Sequence, residues 1–185
     1  MNPSCNLFII GPTGAGKTSI GRRLAAHYGL PFVDLDQAIE HHCGVEVSTV
    51  FEIEGEAGFR QRESVLLDEC SRRPGVLLAT GAGAVLAAHN RSYLGERGYV
   101  VWLQTTVEQQ LERLERDHRR PLLAVPNRHE RLLAMAQIRE PIYRELADLA
   151  VPGELGSVAA ASERCIALID RHWQRQPTAW SRQNA

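Results

Sequence analysis

Gly11-Pro12-Thr13-Gly14-Ala15-Gly16-Lys17-Thr18 fills the pattern G-x-x-x-x-G-K-[ST] at every fixed position. Before it lies the apolar run Leu7–Ile10, which reads as a buried strand. After it, Lys17–Tyr28 sets Ile20 and Leu24 on one face of a helix. Strand, glycine-rich turn and helix in that order form a cradle for an anion. Glycines let backbone N–H groups approach phosphate oxygens where a Cβ would obstruct them, and the helix N-terminus adds partial positive charge. Lys17 then reaches the β- and γ-phosphates, and the Thr18 hydroxyl is a ligand for Mg²⁺. The motif points to a nucleoside triphosphate with magnesium, without naming the reaction.

Outward from the loop, apolar runs and helical patterns alternate. Gly29 ends the first helix and residues 31–34 begin a second strand. Residues 47–54 and 57–70 read as helices, the second with Val65 and Leu66 inside and Arg60, Arg62 and Glu63 toward water or a cleft. Residues 76–79 form a strand followed by a glycine-containing turn, and Tyr99–Leu103 repeats the pattern. Thr105 and Thr106 followed by Glu108 and Gln109 make a capping-box start for a helix running to about residue 115. Residues 116–131, with two prolines and much charge, read as a mobile connection, a lid. Helix returns to about residue 149, interrupted near Pro141, then a brief strand at Leu149–Val151 and a closing helix over 159–174. Residues 177–185 are expected to be a disordered tail. The alternation implies one α/β domain over residues 1–176, its parallel sheet covered by helices on both faces.

Composition narrows the partners. The chain has 185 residues, 44% hydrophobic and 23% charged, with net charge -1, so no overall basic field would hold a nucleic-acid backbone. Cys5, Cys43, Cys70 and Cys165 are scattered without metal-ligand spacing, which fits free thiols in a reducing cytosol. Neither a secretory signal nor an apolar run of the ~20 residues that span a bilayer is present, so a cytoplasmic protein with no membrane partner is expected.

Five further features follow the loop. Asp34-Leu35-Asp36 ends the second strand, where ligands sit in open α/β sheets; one carboxylate could hold a water of the magnesium shell and the other accept a hydroxyl proton. Such a pair alone also fits a helix cap. Then come Gly55-Glu56 with Phe59-Arg60, the turn Gly81-Ala82-Gly83, Arg119-Arg120-Pro121-Leu122-Leu123, and Arg139-Glu140-Pro141-Ile142-Tyr143. Singly, each arginine fits a surface residue. In this order around a phosphate loop, over residues 7–151, the series resembles shikimate kinase.

That resemblance implies a P-loop kinase domain with a mobile lid that transfers phosphate from ATP to the 3-hydroxyl of shikimate, in aromatic amino acid (chorismate) biosynthesis. It implies that Gly14, Ala15, Gly16, Lys17, Thr18 and Ser19 wrap the ATP phosphates. Thr18 would sit on Mg²⁺ directly and Asp34 through water. Asp36 would bind ring hydroxyls and orient the 3-hydroxyl, Arg60 and Arg139 would grip the carboxylate, and Gly81, Ala82 and Gly83 would offer backbone N–H groups. Arg120 would descend with the lid onto the phosphates, joining Lys17 and Asp36 as the catalytic set. A monomer working on ATP and shikimate, with Mg²⁺ as cofactor, is the expectation. The family has three glycines where this chain has Ala82 in the middle, and residues 152–158 offer no assignable contact to adenine.

Other readings stay open. Another polyol kinase, such as a gluconate kinase, would use the same arginine pair. A GTP-hydrolysing switch needs Asn-Lys-x-Asp, which Asn127-Arg128-His129-Glu130 imitates poorly, and a non-catalytic binding module has only Ala82 to motivate it. His41-His42-Cys43 reads as a solvated surface, and Trp102 as core.

Overall fold

Leu7–Ile10 forms β1, every residue of it buried, in a computed structural model that describes residues 4–114, 127–153 and 156–175. It lies at the centre of a five-stranded parallel sheet with β2 (Phe32–Asp34), β3 (Leu77–Ala79), β4 (Tyr99–Leu103) and β5 (Leu149–Val151), in the order β2-β3-β1-β4-β5. The order reverses beside β1, so a crevice opens at its carboxyl end, and the phosphate loop occupies that end.

Alternation along the central strands divides two cores. Phe8, Ile10, Leu78, Val100 and Trp102 face one side, packed with Leu35, Ile39, Leu67, Leu94 and Tyr143. Leu7, Ile9, Leu77, Tyr99 and Val101 face the other, packed with Ile20, Leu24, Cys165, Ile169 and Trp173. The first face is covered by α2 (Leu35–Cys43), α3 (Val47–Ser71), α4 (Ala88–Arg97) and α6 (Arg128–Leu146); the second by α1 (Lys17–Tyr28) and α7 (Val158–His172). The helix α5 (Val107–Leu114) packs on α6 through Leu114 and Leu132. Its start is the expected capping box: Thr106 Oγ1 accepts from Gln109 N at 3.2 Å, and Gln109 Oε1 accepts from Thr106 N at 3.2 Å. Covered strands that run as unbroken apolar segments were legible for this reason.

The two helices expected on either side of residue 55 are both present, parted at Gly55, whose φ of 69° and ψ of -176° are not helical. Several other expectations are corrected. Val65 is 62% exposed, while the inward stripe of α3 is Phe59, Glu63, Leu66, Leu67 and Cys70. Glu63, a charged residue, occupies the central position of that stripe, so reading it as outward rotated the whole face. Pro141 does not interrupt α6, which continues to Leu146; Gln137, whose carbonyl loses its helical donor, is exposed to water. Residues 128–131, expected in the connection, open this helix. Two helices, α2 and α4, were not anticipated as elements; α4 buries only Asn90 and Leu94, too few apolar positions to make a period. Trp102 is in the core as expected, and His41 and His42 are exposed. Residues 115–126, which include Arg120 and most of the expected lid, and the expected tail at 177–185 lie outside the described residues. No helix among the described residues is long and apolar enough to cross a membrane.

Candidate active site

Three loop glycines are held in the left-handed region, Gly11 at φ 142°, Gly14 at 74° and Gly16 at 87°, so a side chain at any of them would be strained. Gly16 precedes α1 directly, which turns the first free N–H groups of that helix toward the loop's concave side. Lys17 Nζ donates to the carbonyls of Gly11 and Pro12, both at 2.8 Å. Ser19 is exposed at the rim. A guanidinium that sequence reasoning missed also reaches the loop: Arg113, on α5, donates to the Gly14 carbonyl at 3.0 Å. Nothing local to residue 113 signals this contact, which spans 99 residues of chain.

At the end of β2, the helix-cap reading of the aspartate pair is realised. Asp34 Oδ1 caps α2, accepting from Asp36 N at 3.1 Å and Gln37 N at 3.4 Å. Its other oxygen accepts from the Thr18 hydroxyl at 2.6 Å. The cap therefore fixes a carboxylate against the last residue of the phosphate motif. A hydroxyl and one carboxylate are a donor set suited to Mg²⁺, which keeps several waters and takes one or two protein oxygens beside substrate phosphates. Among the described residues there is no cluster of three or more His, Cys, Asp or Glu that would hold a metal by protein alone.

Asp36, one position into α2, faces the turn after β3. A Cβ on Gly81 would lie 3.1 Å from Asp36 Oδ1 and would collide with Glu63 Oε1. A Cβ on Gly83 would collide with the Arg60 guanidinium. Neither glycine has a positive φ; they are small because charged side chains press against their backbone. Ala82 also has no positive φ, so its methyl group carries no backbone strain, and it is half-buried.

Arg60 donates to Glu63 at 2.6 Å and to Glu56 at 3.2 Å. Glu63 is fully buried, and burial, abetted by Asp36 and only partly opposed by Arg60, pushes its carboxyl above the usual range. Burial works against the charge of Arg60, but Glu63 and Glu56 more than restore it. Arg139, on α6, is 8% exposed and makes no ion pair among the described residues. Burial lowers its pKa, and it lies near enough to Arg60 for the two to repel. A guanidinium nonetheless stays charged. The cluster thus has a buried cation with no anion of its own, beside a cleft that Pro12, Thr13, Gln110 and Arg139 line. Thr13 Oγ1 and Glu63 Oε1 are buried without a partner, each a polar atom that costs roughly 1–3 kcal/mol if left unmet.

The family model for shikimate kinase matches residues 13–170. A shikimate kinase of Stenotrophomonas maltophilia is 48% identical over 176 residues, covering 95% of this chain and 98% of the relative. One from Actinobacillus pleuropneumoniae is 45% identical over 165 residues, covering 89% and 95%. The chain belongs to the shikimate kinase family. Among solved structures, shikimate kinase from Acinetobacter baumannii, determined in complex with shikimate, matches with a TM-score of 0.88 at 43% identity, covering 92% of this chain and 95% of that one. For a member of this family, the geometry brings Thr18, Asp34, Asp36, Arg60, Arg139 and the 81–83 turn to the carboxyl ends of β1, β2 and β3. The second groove of interest runs past the phosphate loop on the opposite side, lined by Ala15, Ile20, Arg113, Pro152, Gly153 and Arg164. The close approach of Gly153 to the Gln104 carbonyl shapes its floor, a contact no local pattern announced.

Proposed function

We propose that this chain transfers the γ-phosphoryl group of ATP to the 3-hydroxyl of shikimate, giving ADP and shikimate 3-phosphate, a reaction of aromatic amino acid biosynthesis by way of chorismate. The observation that carries the reading is buried Arg139, unpaired by any carboxylate among the described residues and set beside Arg60, in a cleft that borders the phosphate loop. An acceptor carboxylate supplies the missing anion, and two planar guanidiniums suit it.

Phosphoryl transfer asks chiefly for positioning and charge neutralisation. The glycine cradle of Gly14 to Gly16, with Ala15, Thr18 and Ser19, holds the phosphates through backbone and hydroxyl groups. Lys17 exchanges its two loop carbonyls for phosphate oxygens. Asp36 accepts a hydrogen bond from the attacking hydroxyl and orients it toward the phosphate. The backbone N–H groups of Gly81, Ala82 and Gly83 meet acceptor oxygens. Thr18 would hold Mg²⁺ directly and Asp34 through a water, and the ion would neutralise charge across the β- and γ-phosphates. The groove beside Arg113 and Pro152 accommodates the nucleotide base. Arg120, outside the described residues, adds positive charge at the phosphates in this reading. The working unit is a cytoplasmic monomer.

The test is ADP release in a coupled assay with a panel of carboxylated polyols. Shikimate should stimulate release strongly over the acceptor-free rate, and gluconate should not. Equal release with and without acceptor would favour a hydrolytic switch and overturn the proposal. Against such a switch, Asn127 and Glu130 hydrogen-bond to each other at 3.1 Å at the start of α6.

Two expected results follow for the acceptor side. Arg60→Lys and Arg139→Lys should each raise the shikimate KM by about tenfold or more, ~1.4 kcal/mol, because an ammonium cannot reproduce a planar fork. Unchanged shikimate kinetics in both would remove the carboxylate grip. Ala82→Gly should change the shikimate KM by less than about tenfold, since residue 82 has no positive φ to relieve. A large gain on introducing glycine would mean that shikimate is not the preferred acceptor.

A further inference from the structure

Tyr143 lies one helical turn beyond Arg139 on α6, so both side chains leave the same face of that helix. It is fully buried, its ring 5.8 Å from that of Trp102, and its hydroxyl donates to the Ala82 carbonyl at 2.5 Å. Burial raises the phenol's pKa, so it remains a donor at any working pH. That contact joins the turn after β3 to the helix that carries Arg139, whose guanidinium also meets the Tyr143 hydroxyl.

The peptide between Ala82 and Gly83 is planar and trans, so pinning its carbonyl toward Tyr143 aims its N–H in the opposite direction. On the far side of the turn, the Arg60 guanidinium presses on Gly83. Neighbouring carbonyls are engaged, Gly81 by Ala84 N at 3.2 Å and Gly83 by Leu86 N at 3.0 Å. Among the described residues, the N–H groups of Gly81, Ala82 and Gly83 meet no acceptor. The Gly81 and Gly83 carbonyls are held by backbone donors just ahead in the chain, and Tyr143 holds the carbonyl of residue 82.

We infer that Tyr143 is a positioning residue for the acceptor, fixing the Ala82–Gly83 peptide so that its N–H meets an oxygen of the polyol acid held by Arg139 and Arg60. The inference rests on the acceptor reading of this cleft given above. Tyr143 does not touch the substrate; it acts through the peptide it orients, and it keys that peptide to the same helix that grips the carboxylate.

The experiment is Tyr143→Phe, which keeps the ring and its packing on Trp102 and removes only the hydroxyl, the donor to Ala82 and a contact of Arg139. The shikimate KM should rise at least fivefold, with the ATP KM within twofold and kcat within threefold of the parent. In an Ala82→Gly background, where the peptide is freer, the rise in shikimate KM caused by Tyr143→Phe should be larger still. A lower Tm with both KM values unmoved, or moved equally, would assign the bond to stability alone and overturn the inference, as would a variant that does not fold. A parent chain that ignores shikimate would instead sink the acceptor reading itself.

Discussion

Lys17→Ala should lower kcat/KM by about 30- to 1,000-fold, the equivalent of roughly 2–4 kcal/mol lost from charge developing at the phosphates. The side chain contributes a point charge from within the loop itself; another cation that reaches the loop, Arg113, is bonded to the Gly14 carbonyl. The resting hydrogen bonds of Lys17 are to the carbonyls of buried Gly11 and half-buried Pro12, and the second of these also accepts from the loop backbone. The fold should therefore survive: the loop's path is set by glycine dihedrals and by Ala15 N donating to the Pro12 carbonyl at 3.3 Å. Steady-state kinetics alongside a thermal melt check both halves. A folded variant with near-parent activity would end the nucleotide assignment.

Asp36→Asn should depress kcat about 100-fold or more while leaving ATP affinity within about threefold. The amide keeps an oxygen that can accept the acceptor's hydrogen bond, but it loses negative charge and basicity at the attacking atom. The substitution also bears on buried Glu63, whose ionised form Asp36 disfavours. Removing the repulsion makes Glu63 easier to charge, which favours its pair with Arg60. Isothermal titration with ATP, set against turnover, separates the outcomes. Parallel losses in both would move Asp36 from the acceptor to the metal side, beside Asp34.

How much of this was legible depended on distance along the chain. The phosphate loop and the strands at Leu7–Ile10 and Tyr99–Leu103 are local statements, made by neighbouring residues, and they emerged intact. The helix break at Gly55 and the capping box at Thr106 are local too. Glu63 lies on the face that Phe59, Leu66, Leu67 and Cys70 mark as inward, but its charge disguises this, because what sustains it there, Arg60 and a turn some twenty residues away, exists only in the assembled fold. Tyr143 and Ala82 are 61 residues apart, and Arg113 and Gly14 are 99 apart; such contacts exist only once the sheet is assembled. The reason for Gly81 and Gly83 was hidden in the same way. A glycine that yields to a neighbour's side chain looks, in one dimension, like a glycine that bends the backbone.

The central place of β1 bears on how the chain is born. Its two partners along the sheet are β3 and β4, with Leu7 registered against Leu77 and Tyr99. A nascent chain therefore carries Leu7–Ile10, four apolar residues, with one hydrogen-bonding edge unpartnered until β3 is made at about residue 79 and the other until about residue 103. At about 5–20 residues per second that exposure lasts roughly 5–20 s, far longer than the microseconds in which unprotected hydrophobic segments collapse. The strand that organises the finished catalyst is thus the segment most prone to mispairing during synthesis, and early truncation products ending before β4 should aggregate rather than persist as soluble fragments.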